Sequence, residues 1–143
     1  MGGYAALAGV TIDRGVYRCA VSVGGVSDFG DQTAYSGKYA ANAERYWLRF
    51  MGAQSMRDPV IAQYSPANFA ALADAPVMLI HGLDDTVVPI IQSRKMAKAL
   101  QAAGKPVELV ELPGEDHWLS TGATRLQMLQ ATVAFLEKNN PPN

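Results

Sequence analysis

The chain's two histidines lie in two short loop-like segments that also carry acidic residues. Residues 81–89 read His-Gly-Leu-Asp-Asp-Thr-Val-Val-Pro, and residues 113–120 read Pro-Gly-Glu-Asp-His-Trp-Leu-Ser. A carboxylate that orients and stabilises an imidazole is a common arrangement for shuttling protons. These residue types therefore predict an Asp–His pair between the two segments. Spacing alone leaves a simpler interpretation open, in which these side chains are solvated or cap helices.

Such a pair needs rigid strand ends to hold it, and the surrounding sequence predicts three strands. Residues 76–82 form a continuous apolar run, which is typical of a parallel strand covered on both faces. Further strands are predicted at residues 18–23 and 107–112, and helix-like segments separate them. This alternation predicts an α/β fold with a parallel sheet and right-handed crossovers. In such a sheet, sites form beyond the carboxyl ends of the strands, and one βαβ unit suits the separation of 32 residues between Asp85 and His117.

Helices are predicted from apolar spacing and from terminating residues. The chain begins with an apolar helix over residues 1–10, and residues 43–51 form another. Pro89 suits the first position of a third helix. Residues 26–41, which contain Gly, Ser and Asp, are predicted as a loop. The last helix carries an apolar stripe of Leu126, Leu129, Val133 and Leu136.

Composition excludes several classes of protein. The chain has 143 residues, about the length of one domain, with 12 basic and 13 acidic side chains. This balance gives no electrostatic footprint for nucleic acid. No apolar stretch approaches the roughly 18 residues of a membrane span. A single cysteine excludes an internal disulfide framework. Charged residues are only 17% of the chain, against about 25% in typical domains, so part of the surface is expected to face more protein.

Two motifs resemble the catalytic domain of the prolyl oligopeptidase family of serine peptidases, nearest its acylaminoacyl-peptidase and dipeptidyl-peptidase branches. That α/β-hydrolase family carries its catalytic Asp in His-Gly-x-x-Asp-x-x-Val-Pro, which residues 81–89 match. It carries its catalytic His in a Gly-x-x-His loop before the last helix, which residues 114–117 match. The resemblance covers nearly the whole chain. It implies that Asp85, rather than Asp84, is the acid and that His117 is the base.

The start of the chain matches only the tail of a third family motif. The family places its nucleophile in Gly-x-Ser-x-Gly-Gly-Tyr, and residues 1–4 read Met-Gly-Gly-Tyr. The resemblance therefore implies a nucleophilic Ser immediately before Met1. We expect residues 1–143 to be a partial α/β-hydrolase domain, lacking the nucleophile strand and turn and inactive alone. The backbone N–H of Met1 would be one oxyanion donor, because this fold uses the residue after the nucleophile.

The resemblance also implies a substrate and its binding residues. The substrate class is short peptides cut after a small or apolar residue, through an acyl-enzyme, with no metal or organic cofactor. Val26 and Phe29 would lie at the wall of the primary specificity pocket. Ordinary packing in the core is the alternative for both. The compartment stays open, cytoplasmic or exported, because a signal peptide would precede residue 1.

Ser22 is a second candidate nucleophile. Residues 20–24 read Ala-Val-Ser-Val-Gly, and the order Ser22, Asp85, His117 is that of the α/β-hydrolases. A stand-alone esterase would use this serine. An elbow serine sits at a strand-to-helix turn, however, whereas Ser22 lies inside a predicted strand. We therefore expect Ser22 to be structural.

Two further interpretations need no nucleophile. A strand at residues 18–23 without its preceding neighbour would expose an apolar edge, which predicts a non-catalytic domain that forms a homo-oligomer through this edge. A metal hydrolase would draw on acids and imidazoles of the two segments. No His-Glu-x-x-His motif supports it. The residues concerned are His81, Asp84, Asp85, Glu115, Asp116 and His117.

Overall fold

The computed structural model describes residues 1–142 and contains three strands, six α-helices and one 3₁₀ helix. The strands are β1 (Ala20–Val23), β2 (Val77–Gly82) and β3 (Val107–Leu112). The helices are α1 (Gly2–Thr11), α2 (Phe29–Gly37), α3 (Ala43–Met51), α4 (Pro59–Gln63), α5 (Ile91–Ala102) and α6 (Gly122–Asn139). The 3₁₀ helix spans Pro66–Leu72 and precedes β2.

The strands form one parallel sheet in the order β1-β2-β3, which confirms the predicted α/β class. Val77 on β2 is in register with Ala20 on β1 and Val107 on β3. All six residues of β2 are buried, as a central strand covered on both faces requires. Because the strands are parallel, their carboxyl ends meet at one edge of the sheet.

One face of the sheet is covered by α1, α5 and the 3₁₀ helix. Their side chains form a core with alternate residues of β2, in which Leu7, Val77, Leu79, Met96 and Leu100 are each fully buried. The approach of α1 to β1 is close. A Cβ on Gly3 would lie 2.6 Å from the carbonyl oxygen of Val23 and 2.7 Å from the Cα of Gly25. Only glycine therefore allows α1 to begin against the end of β1.

The opposite face is covered by α6. Phe135 is buried there against Met78, Ile80 and Leu112. The stripe predicted from the sequence lies on another side of α6 and is exposed among the described residues. The exposed fractions of its members are 55% for Leu126, 51% for Leu129, 51% for Val133 and 39% for Leu136. The last helix is thus apolar on two sides, and only one of them packs on the sheet.

Two predictions of local structure were wrong. Residues 26–41 are not a loop, because α2 occupies Phe29–Gly37 with Asp28 as its N-cap, accepting from the backbone N–H of Asp31. The N-cap at Asp28 and the burial of Phe29 stabilise this helix and offset the low helix propensity of its glycines. The helix after β2 begins at Ile91 with Ile90 as its N-cap, so Pro89 lies just before the helix rather than in its first position, and its carbonyl accepts from the N–H of Gln92.

No helix among residues 1–142 combines the length and the apolar character needed to cross a membrane.

Candidate active site

Asp85 lies just beyond the carboxyl end of β2, where its own loop fixes the carboxylate. Oδ1 accepts the backbone N–H of Val87 at 2.9 Å and that of Val88 at 2.8 Å. The side chain is only 1% exposed. Two backbone donors on one oxygen orient the other, Oδ2, toward the end of β3.

His117 lies in the loop after β3 and meets that second oxygen. Its Nδ1 is 2.7 Å from Asp85 Oδ2, and its side chain is 26% exposed. Ionised Asp85 only accepts hydrogen bonds, so the proton between the two atoms resides on Nδ1 of His117. In the neutral imidazole, the other ring nitrogen, Nε2, then carries no proton and can act as a base. The structure thus brings together the two side chains that the sequence paired, as a dyad of carboxylate and imidazole.

Glu115 anchors the His117 loop to the start of α6. The residue is fully buried, and its carboxylate accepts the backbone N–H groups of Asp116 and Thr121. It also accepts a hydrogen bond from the hydroxyl of Thr124. The hydrogen bond from Thr124, ahead of the backbone donors, lowers the pKa of Glu115, although desolvation opposes this shift. A charged Glu115 suits this position because a helix N-terminus favours negative charge.

Electrostatics keep Asp85 ionised. Burial acts to raise its pKa, but hydrogen bonds from His81, Val88, His117 and Val87 outweigh burial and hold the pKa below its ordinary value. The carboxylate therefore stays charged at neutral pH and can stabilise an imidazolium at His117.

Gly24 connects the end of β1 to this dyad. Its φ is +55°, and a Cβ there would lie 3.4 Å from Asp85 Oδ2 and 3.4 Å from Nδ1 of His117. Its neighbour Gly25 contacts Gly3, in the first turn of α1. The start of α1, where Met1 is the N-cap, therefore lies at the same edge of the sheet as the dyad.

The loop after β1 is held by Gln92 of α5, a buried contact that sequence reasoning missed. Oε1 of Gln92 accepts the backbone N–H of Ser27 at 2.9 Å and that of Asp28 at 2.8 Å. Nε2 donates to the carbonyl of Asp28 at 3.0 Å. No local pattern signals contacts between residues 64 or 65 positions apart.

Val26 and Phe29 are both buried in one apolar cluster near the dyad. They are 4% and 1% exposed and share the cluster with Val88, three residues after Asp85. Phe29 contacts the ring of Tyr4 edge to face, with centroids 4.9 Å apart. Both side chains are packed within this cluster.

Ser22 does not join the dyad. It lies in the middle of β1, is fully buried, and donates its hydroxyl hydrogen bond to the carbonyl of Gly3 at 2.9 Å. An elbow nucleophile needs an exposed hydroxyl at a strand-to-helix turn. Ser22 therefore joins β1 to α1, the structural role expected of it, and its buried hydroxyl does not favour the esterase hypothesis.

Among the acids and imidazoles of the two loops, His81 and His117 both lie against the carboxylate of Asp85. Within residues 1–142, no three His, Cys, Asp or Glu side chains are arranged to hold a metal ion. Asp116 instead accepts hydrogen bonds from Trp118 and Ser120 of its own loop. The metal-hydrolase hypothesis has no geometric support in this part of the chain.

A parallel sheet that carries Asp and then His beyond consecutive strands is typical of the C-terminal part of an α/β-hydrolase fold. Within that class, the sequence profile of the prolyl oligopeptidase family matches residues 1–141. The chain belongs to this family, as the motifs predicted.

Individual relatives agree with this assignment. The chain is 27% identical to dipeptidyl aminopeptidase BIII of Pseudoxanthomonas mexicana over 144 residues, which cover 94% of this chain and 20% of that protein. Its fold matches a puromycin-hydrolyzing peptidase of Mycobacterium tuberculosis with a TM-score of 0.87 and 28% identity, covering 96% of this chain and 20% of the other. The Pyrococcus horikoshii acylaminoacyl peptidase shares the fold with a TM-score of 0.81 at 23% identity, covering 94% and 22%. The chain spans about a fifth of the length of these proteins.

Proposed function

We propose that Asp85 and His117 are the acid and base of a serine peptidase, and that the nucleophilic Ser immediately precedes Met1. The observation that carries this proposal is the hydrogen bond of 2.7 Å between His117 Nδ1 and Asp85 Oδ2. Membership of the prolyl oligopeptidase family supports it. So does the position of α1, whose first turn contacts the loop beside the dyad. On this proposal, residues 1–143 alone are inactive.

The proposed mechanism follows from where the protons reside. Nε2 of His117 takes the proton of the serine hydroxyl while the serine oxygen attacks the peptide carbonyl. Asp85 holds the imidazole in the required tautomer and stabilises the imidazolium. His117 then gives the proton to the leaving amine, and an acyl-enzyme forms. Water hydrolyses this ester by the same proton transfers in reverse, and the backbone N–H of Met1 is one donor to the oxyanion.

The proposed substrates are short peptides, cut after a small or apolar residue. Val26 and Phe29 are the proposed wall of the pocket for that residue. Their membership of one apolar cluster with Val88 supports the proposal, because Val88 belongs to the Asp85 loop and donates its backbone N–H to Oδ1 of Asp85. The names of two relatives, a dipeptidyl aminopeptidase and a puromycin-hydrolyzing peptidase, support a peptide substrate.

The test uses the protein expressed together with the coding segment upstream of Met1. A fluorophosphonate probe should label the serine before Met1, and residues 1–143 alone should stay unlabelled. Asp85→Asn should lower kcat by about 10⁴-fold, the loss typical of a triad whose Asp becomes Asn.

Asp84→Asn is the matched control, since Asp84 is the exposed neighbour of Asp85 in the same loop. Its kcat should stay within about twofold of the wild type. Equal losses in the two variants, or an adduct on another residue, would contradict the assignment.

The second candidate function is self-association without catalysis. Its support is an uncovered face, which we define as the free edge of β1 together with the exposed stripe on α6. Among residues 1–142, β1 pairs only with β2, so its other edge carries unpaired backbone groups. Val133 and Leu136 border the same groove as Arg18, near the start of β1. We propose a second copy of the chain as the occupant.

Sedimentation velocity over a range of concentrations tests this candidate. The chain should form a dimer or higher oligomer, and Leu129→Glu should shift it to monomer. Leu72→Glu is the control, because Leu72 is similarly exposed, at 49%, on the 3₁₀ helix away from this face. A stable monomer at millimolar concentration would contradict self-association.

A further inference from the structure

A second imidazole, that of His81, is buried beside the dyad. His81 lies in β2, four residues before Asp85, and is 1% exposed. Its Nε2 lies 2.7 Å from the carbonyl oxygen of Val88 and 3.3 Å from Asp85 Oδ2. Its Nδ1 lies 2.7 Å from the hydroxyl oxygen of Ser93 on α5. Both ring nitrogens therefore have partners in the protein interior.

These partners determine where the proton of His81 resides. The carbonyl of Val88 can only accept a hydrogen bond, and ionised Asp85 can only accept as well. Nε2 must therefore carry the proton, which it donates to the carbonyl of Val88, and the same N–H group lies near the Asp85 carboxylate, at 3.3 Å between Nε2 and Oδ2. Nδ1 then accepts from the hydroxyl of Ser93. A ring held at both nitrogens has one orientation and one tautomer.

We propose that His81 is a positioning residue for the dyad, a role that rests on the proposed function of Asp85 and His117. Both imidazoles lie next to Oδ2 of Asp85, with Nδ1 of His117 at 2.7 Å and Nε2 of His81 at 3.3 Å. The strong hydrogen bond of His81 to Val88 holds the same loop whose N–H groups orient Oδ1 of Asp85. His81 thus ties the Asp85 loop to Ser93 on α5 and keeps Oδ2 directed at His117.

The polar groups around His81 distinguish a positioning role from simple packing of the ring. A buried polar ring costs free energy unless its nitrogens are paired, and an apolar side chain would fill the same space without that requirement. His81 is surrounded by groups that use its polarity: an acceptor-only carbonyl, a carboxylate and a hydroxyl. The N–H group at Nε2, rather than the volume of the ring, is what the Asp85 loop requires.

The test measures the hydrogen bond of the dyad itself by NMR of the 143-residue chain, so it needs no nucleophile or substrate. The wild type should show a downfield Nδ1–H resonance for His117, protected from solvent exchange, and His81 as the Nε2–H tautomer. Asp85→Asn should abolish the protected signal, which would establish that this signal reports the hydrogen bond between His117 and Asp85. His81→Leu should speed exchange of the His117 proton by about tenfold or more, because the loop loses a buried hydrogen bond.

His81→Gln is the rescue variant, since its amide N–H reaches about as far as Nε2 of the ring. It should keep exchange within about threefold of the wild type. Wild-type exchange in a folded His81→Leu, or fast exchange in a folded His81→Gln, would overturn the proposal. So would an Nδ1–H tautomer of His81 in the wild type, a result that needs no variant to fold. A protected dyad in a protein that no fluorophosphonate labels would instead count against the proposed function alone.

Discussion

Gln92 provides the most quantitative test of how the fold holds the loop beside the dyad. Its side chain is 1% exposed and makes three hydrogen bonds to the backbone of Ser27 and Asp28, at 2.9, 2.8 and 3.0 Å. A buried hydrogen bond contributes about 1 kcal/mol net. Gln92→Ala removes all three without replacing them, so the free energy of unfolding should fall by about 3 kcal/mol. The gain in helix propensity from Ala offsets only a few tenths of this loss.

The assay is urea unfolding followed by circular dichroism, with linear extrapolation to water. Gln101→Ala is the matched control, because Gln101 is an exposed glutamine on the same helix. The control should change stability by less than about 0.5 kcal/mol. Amide exchange at Ser27 and Asp28 should accelerate in Gln92→Ala only. If the two variants unfold within about 0.5 kcal/mol of each other, the argument that Gln92 holds this loop is refuted.

Two further predictions concern the dyad. The folded-state pKa of Asp85 lies below its ordinary value of 3.8. Its negative charge therefore stabilises the fold above about pH 4, and this stabilisation is lost as the pH falls through the lowered pKa. Asp85→Asn should therefore be less stable than the wild type at pH 7, with a gap that closes toward pH 3 in urea titrations; a gap independent of pH would contradict this. Gly24→Ala should lose about 1–2 kcal/mol through its positive φ and shift the imidazole resonances of His117. Gly104 is the control, at φ +68° with no atom within 4 Å of a Cβ built there. Gly104→Ala should lose a similar amount of stability without shifting the His117 resonances. The same His117 resonances in both variants would contradict the contact between Gly24 and the dyad.

The sequence predicted the frame of the fold because its local signals are strong. The continuous apolar run before His81 was the clearest strand signal, and the structure gives β2 over Val77–Gly82. The helix over Ala43–Met51 and the strand over Val107–Leu112 have the predicted bounds. The helix α2 was missed because it depends on tertiary contacts: Gln32 donates to the carbonyl of Val87, 55 residues away.

The candidate site was predictable only where its residues stand in local motifs. Asp85 and His117 stand in motifs whose spacing is local, so the sequence could pair them. The partners of Gln92, 64 or 65 residues away, follow from packing rather than from any local spacing. The contact of the Asp85 carboxylate with His81 spans only four residues, but the motif alone did not indicate it. The apolar stripe with Leu129 had the right period for a helix, but period alone does not say which side of α6 meets the sheet.

We propose that Asp85 and His117 serve a serine directly before Met1. The most direct measurement is to read the coding DNA immediately upstream of the Met1 codon. We expect an in-frame Gly-x-Ser that ends at that codon and follows strand-like sequence. An in-frame stop codon with no such motif would contradict it, and self-association through the uncovered face would then be the function to pursue.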